Sequence, residues 1–267
     1  MKIEGDIRKM RTFLANGIAN YVLTLADNEI NMNALLGKQL SFNYSGAIFC
    51  VKCGAKTKTS FFQGFCYNCF TTAPEAEDCV LKPELCKAHI GIARDMEYAQ
   101  SHCLIPQYVY LADTGSVKVG VTRSNQIPTR WIDQGAMSAI IFAQTPNRYT
   151  AGQIEVEVMK NISDKTNWRK MLAQTTPDTV LLKQAFESIS NYVSQDLQRY
   201  LLKESHIQSI KYPGNVCDGK IQSVNFDKTP FFTGVLRGIK GQYLIFDSNM
   251  VLNIRKFGGY HIQCTIE

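Results

Sequence analysis

Residues 108–135 read YVYLADTGSVKVGVTRSNQIPTRWIDQG, and this stretch decides how the middle of the chain folds. Apolar and polar residues alternate in YVYLA and again in VKVGV, a pattern typical of β-strands. The segment DTGS between them is rich in turn-forming residues. The stretch therefore predicts a hairpin, followed by a helix that begins near Pro128 and carries Arg130 and Trp131.

The composition limits the kinds of protein this chain can be. It has 267 residues, enough for one large domain or two to three small ones, and 45% of them are hydrophobic, which supports a folded core. The sequence contains no apolar run of about 18 residues and no signal-peptide-like segment, so we expect a cytoplasmic protein that does not enter a membrane. The net charge of +6 permits nucleic-acid binding, but no basic tail demands it.

The segment CVKCGAKTKTSFFQGFCYNC contains two C-x2-C pairs separated by twelve residues. Each pair predicts a tight turn whose two sulfur atoms occupy neighbouring corners of a zinc tetrahedron. Nine cysteines without a secretion signal argue against a disulfide framework. Free thiols or a redox pair are the alternative. We predict a structural zinc ribbon with four ligands: Cys50, Cys53, Cys66 and Cys69.

A second, less regular set follows in CVLKPELCKAHIGIARDMEYAQSHC. Cys79, Cys86, His89 and Cys103 are predicted to form a Cys3His zinc site, with His102 as a rival fourth ligand. The alternative is a connector in which Cys86 lies in the core and His89 is solvated. The other two cysteines, at positions 217 and 264, have no partner at a useful spacing and are read as small buried residues.

Residues 104–173 resemble the GIY-YIG nuclease domain, a small α/β module named for two tripeptides on adjacent strands. YVY at 108–110 stands at the first tripeptide, with Tyr110 at its tyrosine, and KVG at 118–120 stands at the second, with Lys118 first. The module places an arginine on the following helix, where Arg130 lies, and a glutamate on a later helix. Glu155 matches that glutamate, and Glu157 is the weaker candidate.

Two residues depart from the motif. Tyr108 replaces the glycine of the first tripeptide, and Lys118 replaces the tyrosine of the second. A lysine-bearing form, V-K-x-G, occurs in a bacterial and phage branch of the superfamily. The whole arrangement also looks like an uncharacterised bacterial family in which two cysteine sets precede such a segment. That second likeness covers most of the chain and implies no activity.

The resemblance implies a metal-dependent endonuclease that acts on DNA or RNA. Glu155 would hold Mg²⁺ or Mn²⁺, and Arg130 would bind the scissile phosphate with its planar guanidinium. Tyr110 would orient or deprotonate the attacking water, and Lys118 would add a charge or act as the base. Further phosphate contacts are expected from three residues: Thr122, Arg123 and Arg148.

Structural roles for the same residues stay open at this point. Tyr110 and Lys118 can be outward positions paired across an ordinary hairpin, and Arg130 with Glu155 can be a surface ion pair. Residues 154–158 also alternate as a strand would. The alternative function is therefore non-catalytic nucleic-acid binding, or a zinc-stabilised scaffold for another protein.

The flanks complete a predicted α+β fold. Residues 1–49 are β-rich, with Asn16 and Gly17 at a hairpin turn. Residues 50–103 form the zinc-binding module and 104–173 the α/β domain. A helical connector covers 174–210, with one helix predicted over 177–202, capped by Thr176 with Pro177 in its first turn. Residues 211–267 are β-rich and predict a small barrel or a sheet that pairs with the N-terminal strands.

Overall fold

The computed structural model describes all 267 residues, and β-strands occur along most of the chain. The strands, in chain order, are β1 (Lys2–Asp6), β2 (Arg11–Ala15), β3 (Ile18–Leu25), β4 (Asn28–Asn31), β5 (Gln39–Phe49), β6 (Lys56–Thr57), β7 (Gln107–Asp113), β8 (Val117–Arg123), β9 (Ser138–Thr145), β10 (Gln208–Ser209), β11 (Gln222–Ser223), β12 (Phe231–Lys240), β13 (Tyr243–Phe246), β14 (Met250–Asn253) and β15 (Tyr260–Ile266).

The α-helices are short and lie in the middle of the chain. They are α1 (Tyr67–Thr72), α2 (Met96–His102), α3 (Thr129–Asp133), α4 (Arg148–Met159), α5 (Trp168–Ala173) and α6 (Thr179–Ser188). None of them has the length and apolar character needed to cross a membrane. The predicted α+β class is therefore confirmed.

The chain divides into two compact units, and the first combines Met1–Thr71 with Lys211–Glu267. Its main sheet has the order β1-β15-β5-β12-β13-β14-β11, with β6 paired to β5. The C-terminal strands thus pair with N-terminal ones, as one of the two predicted arrangements requires. A second sheet, β2-β3-β4, begins with the predicted hairpin, whose turn contains Asn16 and Gly17.

The second unit, Thr72–Ile210, is built on a four-stranded antiparallel sheet with the order β10-β9-β7-β8. The predicted hairpin is its β7–β8 pair, in which Tyr110 lies opposite Gly120. Helix α4 buries Ala151, Ile154 and Val158 against one face of this sheet. Residues 154–158 are therefore helical, and the strand alternative is wrong.

The single helix predicted over residues 177–202 is wrong. Helix α6 starts after Asp178, whose side chain accepts a hydrogen bond from the backbone N–H of Leu181, and it ends at Ser188, followed by one 3₁₀ turn. Val193 is extended and buried in the sheet's core. The backbone N–H of Ser194 is bound by the Glu157 carboxylate, 2.8 Å away, rather than by a helical carbonyl. Core packing thus overrides the helical pattern.

Candidate functional site

The first cysteine cluster lies where β5 ends. The ligand atoms of Cys50, Cys53, Cys66 and Cys69 all lie within 4.8 Å of one another. Thiolates around one zinc ion at about 2.3 Å are ~3.8 Å apart, and the Sγ atoms of Cys53 and Cys66 are 3.9 Å apart. Burial opposes ionisation of Cys50, but the backbone N–H groups of Cys53 and Cys66 outweigh it and lower the pKa of Cys50 to about 6. The donor set fits a closed, structural zinc site.

The second cluster brings together three of the four predicted ligands. The Sγ atoms of Cys79, Cys86 and Cys103 lie within 4.8 Å of one another, and all three residues are buried. Hydrogen bonds from the thiols of Cys103 and Cys79 lower the pKa of Cys86, with a further contribution from the charge of Arg148. Three thiolates can hold zinc if a fourth ligand completes the tetrahedron.

Neither histidine proposed as the fourth ligand belongs to this group. The ring of His89 stacks on Tyr149, with the centroids 4.2 Å apart. His102 stacks on Tyr98, and its Nδ1 atom contacts the carbonyl oxygen of Tyr98 and the hydroxyl of Ser101. Both rings are thus engaged in stacking, and only the three cysteines have ligand atoms that all lie within 4.8 Å of one another.

A pocket of about 90 Å³ opens beside β8, the edge strand of the four-stranded sheet. Lys118 lines it from β8, Arg130 from α3 and Glu155 from α4. Three of the four residues predicted to form the catalytic group thus share one pocket.

Tyr110, the fourth predicted residue, lies behind the pocket. Its side chain is fully buried, and its hydroxyl is 2.8 Å from the side-chain amide of Gln134. The Gln134 amide oxygen, turned towards Arg130, lies 3.2 Å from the guanidinium Nε. Gly120 makes the arrangement possible, because a Cβ atom there would come within 2.6 Å of the Tyr110 hydroxyl. Tyr110 therefore contacts the pocket through Gln134 and through a direct hydrogen bond from the Arg130 guanidinium.

Glu155 and Glu157 have different surroundings although both lie on α4. Glu155 is 9% exposed and belongs to the stripe with Ala151, Ile154 and Val158 that faces the sheet. It makes no hydrogen bond and no ion pair, and its free carboxylate in the pocket fits a divalent cation. The carboxylate of Glu157 is committed to the backbone of Ser194.

Burial shifts the pKa values of two pocket residues towards neutral pH. Burial, and then the nearby charge of Arg130, lower the pKa of Lys118 to about 8. Burial also raises the pKa of Glu155 to about 7, although Arg148 opposes that rise. Groups that exchange protons near neutral pH inside a polar pocket are typical of sites that perform acid–base chemistry.

The structural alternatives for these residues do not hold. Tyr110 is fully buried and Lys118 is 6% exposed, so they are not outward positions on a hairpin. Glu155 is buried as well, and no ion pair joins it to Arg130. The pair is therefore not a surface salt bridge.

The three residues predicted to make further phosphate contacts lie in different places. Thr122 is buried and does not line the pocket. Arg123 is half-buried and does not line the pocket. Arg148 lines the pocket, but its guanidinium donates to the carbonyl oxygens of Cys79 and Val80 at 2.6 and 2.9 Å.

The structure adds two residues that the sequence interpretation missed. Gln134 follows Arg130 by four positions, a spacing that places both on one side of α3 and its C-terminus. Asp164 lies in the loop after α4 and lines the pocket. No local sequence pattern identifies Asp164, because it reaches the pocket only where the loop after α4 comes back to β8.

Searches for similar proteins gave one result. No curated protein and no solved structure matches this chain. A protein-family model matches residues 37–262, a span that includes both cysteine clusters and every residue of the pocket. The chain therefore belongs to the family described as "Protein of unknown function (DUF2797)".

Proposed function

We propose that the protein hydrolyses phosphodiester bonds of DNA or RNA at the pocket beside β8, and that Thr72–Ile210 contains a GIY-YIG-type domain. One observation carries the proposal: Lys118, Arg130 and Glu155, which are 37 positions apart at most, line the same pocket. Supporting it, β7, β8, α3, β9 and α4 follow one another in the order hairpin, helix, strand, helix. Tyr110 lies on β7, Arg130 on α3 and Glu155 on α4, which agrees with the strand, helix and later helix that the resemblance implies.

The residues divide the reaction between them. A water oxygen attacks phosphorus while the bond to the leaving oxygen breaks, and the proton of the water passes to the uncharged amine of Lys118. Arg130 donates to the non-bridging phosphate oxygens, where negative charge builds up, and solvent protonates the leaving oxygen. Mg²⁺ or Mn²⁺, when bound at Glu155, supplies charge that polarises the phosphate. Tyr110 keeps both Gln134 and Arg130 in position.

The test is a cleavage assay on zinc-loaded, full-length protein. Labelled single-stranded, duplex and branched DNA and RNA are incubated with Mg²⁺ or Mn²⁺. We expect cleavage that requires the added cation and falls by at least about 100-fold in Glu155→Gln, in the range lost when a transition-state contact is removed. The matched control is Glu157→Gln on the same helix, whose amide oxygen still accepts from Ser194. An unreactive wild type, or an unaffected Glu155→Gln variant, would refute the proposal.

Nucleic-acid binding without cleavage is the second candidate, and the position of Tyr110 favours it. That side chain is fully buried and bonded to Gln134, so its hydroxyl does not contact a water in the pocket. Binding alone predicts an affinity that falls steeply with salt concentration, because phosphate contacts release counterions. It also predicts the same affinity for wild type and Glu155→Gln. Fluorescence anisotropy at several salt concentrations separates the two candidates.

A further inference from the structure

Glu155 is a buried carboxylate for which the chain itself supplies no partner. It is 9% exposed, and neither a hydrogen bond nor an ion pair within 4.0 Å engages its oxygen atoms. The cationic groups of Lys118, Arg130 and Arg148 line the same pocket without pairing with it. Buried carboxylates are normally paired, hydrogen-bonded or bound to a metal ion. This unpaired group therefore points to a ligand that the chain does not provide.

Asp164 reaches the same pocket on a loop that is hydrogen-bonded to β8 both before and after this residue. The carbonyl oxygen of Ser163 accepts a hydrogen bond from the backbone N–H of Val119 on β8, at 3.0 Å. On the other side, the hydroxyl of Thr166 accepts from the Lys118 amine at 3.3 Å. Asp164 lies between these two attachments, half-buried, with its carboxylate free of hydrogen bonds and ion pairs.

We propose that Glu155 and Asp164 together bind one divalent cation of the Mg²⁺ or Mn²⁺ type. This inference rests on the proposed function and deepens it, because it adds a second protein ligand to Glu155. Mg²⁺ accepts two carboxylate ligands, here one from a helix and one from a loop, with water molecules in its other coordination positions. A pocket of about 90 Å³ is large enough to hold several waters. Lys118 and Arg130 line the same pocket, and their remaining N–H groups can contact an anion beside the cation.

The test measures Mn²⁺ binding directly, by electron paramagnetic resonance of the free ion, on zinc-loaded, full-length protein. We expect one Mn²⁺ per chain. Affinity should fall at least about tenfold in Asp164→Asn and in Glu155→Gln, because each variant loses one charged ligand. Glu157→Gln, with its carboxylate outside the pocket, should bind as the wild type does. Asp164→Asn with wild-type affinity, or a wild type that binds no Mn²⁺ at millimolar concentration, would overturn the inference.

Thermal unfolding provides a second reading that does not depend on activity. A cation that binds only the folded protein raises the melting temperature. Mn²⁺ should therefore stabilise the wild type and Glu157→Gln, but give a much smaller shift with Asp164→Asn, whose own transition shows that it is folded. An equal shift in Asp164→Asn would count against the second ligand.

Cleavage measured on the same variants distinguishes this inference from the proposed function. Mn²⁺ binding that needs both carboxylates, without cleavage of any substrate, would support the cation site and refute the nuclease. Cleavage that needs Glu155 and added cation, with undiminished Mn²⁺ binding by Asp164→Asn, would support the nuclease and refute the two-carboxylate site.

Discussion

Arg148, the first residue of α4, donates from Nε to the carbonyl oxygen of Cys79 at 2.6 Å. Its Nη2 atom also donates to the carbonyl oxygen of Val80. One turn further along α4, a Cβ atom at Gly152 would collide with the backbone of Pro83 and Glu84. The loop that carries the second cysteine cluster is thus held closely against the helix that carries Glu155, and it supplies one wall of the pocket.

Replacing Arg148 should destabilise the protein measurably. Arg148→Gln removes two hydrogen bonds from a charged donor and leaves two carbonyl oxygens to find other partners. We expect the free energy of unfolding to fall by about 3 kcal/mol, measured by urea denaturation of zinc-loaded protein. The control is Arg169→Gln, an exposed guanidinium 4.2 Å from the ring of Trp168, which should cost under about 1 kcal/mol. An equal decrease in the free energy of unfolding in the two variants would show that the hydrogen bonds from Arg148 to the loop do not stabilise the protein more than a surface contact does.

Metal analysis should find two zinc ions per chain. Elemental analysis and native mass spectrometry of reduced protein should show the loss of one ion in Cys66→Ser and of the other in Cys86→Ser, because each variant removes a thiolate ligand. Cys217→Ser is the matched control, since that thiol is buried but belongs to neither cluster. Retention of two ions in Cys86→Ser would show that the second cluster does not hold zinc.

A methyl group at Gly120 should disturb the hydrogen bonds behind the pocket. The Cβ atom of Gly120→Ala would lie 2.6 Å from the Tyr110 hydroxyl oxygen and 2.7 Å from its Cζ. Tyr110 is fully buried, so we expect a loss of about 1–3 kcal/mol in the free energy of unfolding. In a double-mutant cycle, Tyr110→Phe should recover part of that loss because it removes the closer of the two contacts. If the losses in unfolding free energy caused by Gly120→Ala and Tyr110→Phe were strictly additive, the predicted clash between the two side chains would be contradicted.

A histidine bridge between β1 and β15 should make stability depend on pH. The Nδ1 and Nε2 atoms of His261 lie 2.7 Å from Asp6 Oδ1 and 2.9 Å from Glu4 Oε1. The hydrogen bond to Asp6 is the largest cause that raises the pKa of His261 above its ordinary 6.5, and burial opposes it. A raised folded pKa gives stability that is complete below the unfolded pKa and is lost as pH rises through the folded pKa.

The matched comparison for this bridge is His261→Gln against wild type across pH. At acidic pH, below the ordinary pKa of 6.5, the wild type should be the more stable by up to about 1 kcal/mol, and this advantage should be lost at alkaline pH, above the raised pKa. Urea denaturation at acidic and at alkaline pH checks this. A difference that grows towards alkaline pH would show that the bridge does not act through the charged imidazole.

Local sequence patterns predicted the hairpin and the first metal cluster well, because both depend on residues that are close in sequence. The Tyr110–Gly120 pair lies in a hairpin whose turn directly follows its first strand, and Cys50 and Cys53 share one turn, so both arrangements depend on neighbours in sequence. The helix predicted over 177–202 failed because its second half is decided by distant groups. There, Val193 packs into the core of the sheet, and the Glu157 carboxylate accepts a hydrogen bond from the backbone N–H of Ser194.

In the candidate site, too, some residues could be identified from the sequence and others could not. Glu155 was singled out from the sequence only through the resemblance to the GIY-YIG module, which implies a glutamate on a helix after the hairpin. Asp164 was not identifiable, because its place depends on the hydrogen bond that ties the Ser163 carbonyl to Val119, 44 positions earlier in the chain. The burial of Tyr110 and the stacking of His89 on Tyr149 are likewise contacts between elements.

By itself, the amino-acid sequence determined the α+β class, the hairpin at residues 108–123, the four-cysteine turn pairs and the residue types that phosphate chemistry needs. These features arise from backbone preferences and spacings within a few residues. Only the tertiary structure decided that Lys118, Arg130, Glu155 and Asp164 share one pocket, and that Tyr110 stands behind it. Side chains from separate elements meet only after the sheet has packed against its helices, and the resulting burial, not sequence spacing, sets their charges and partners.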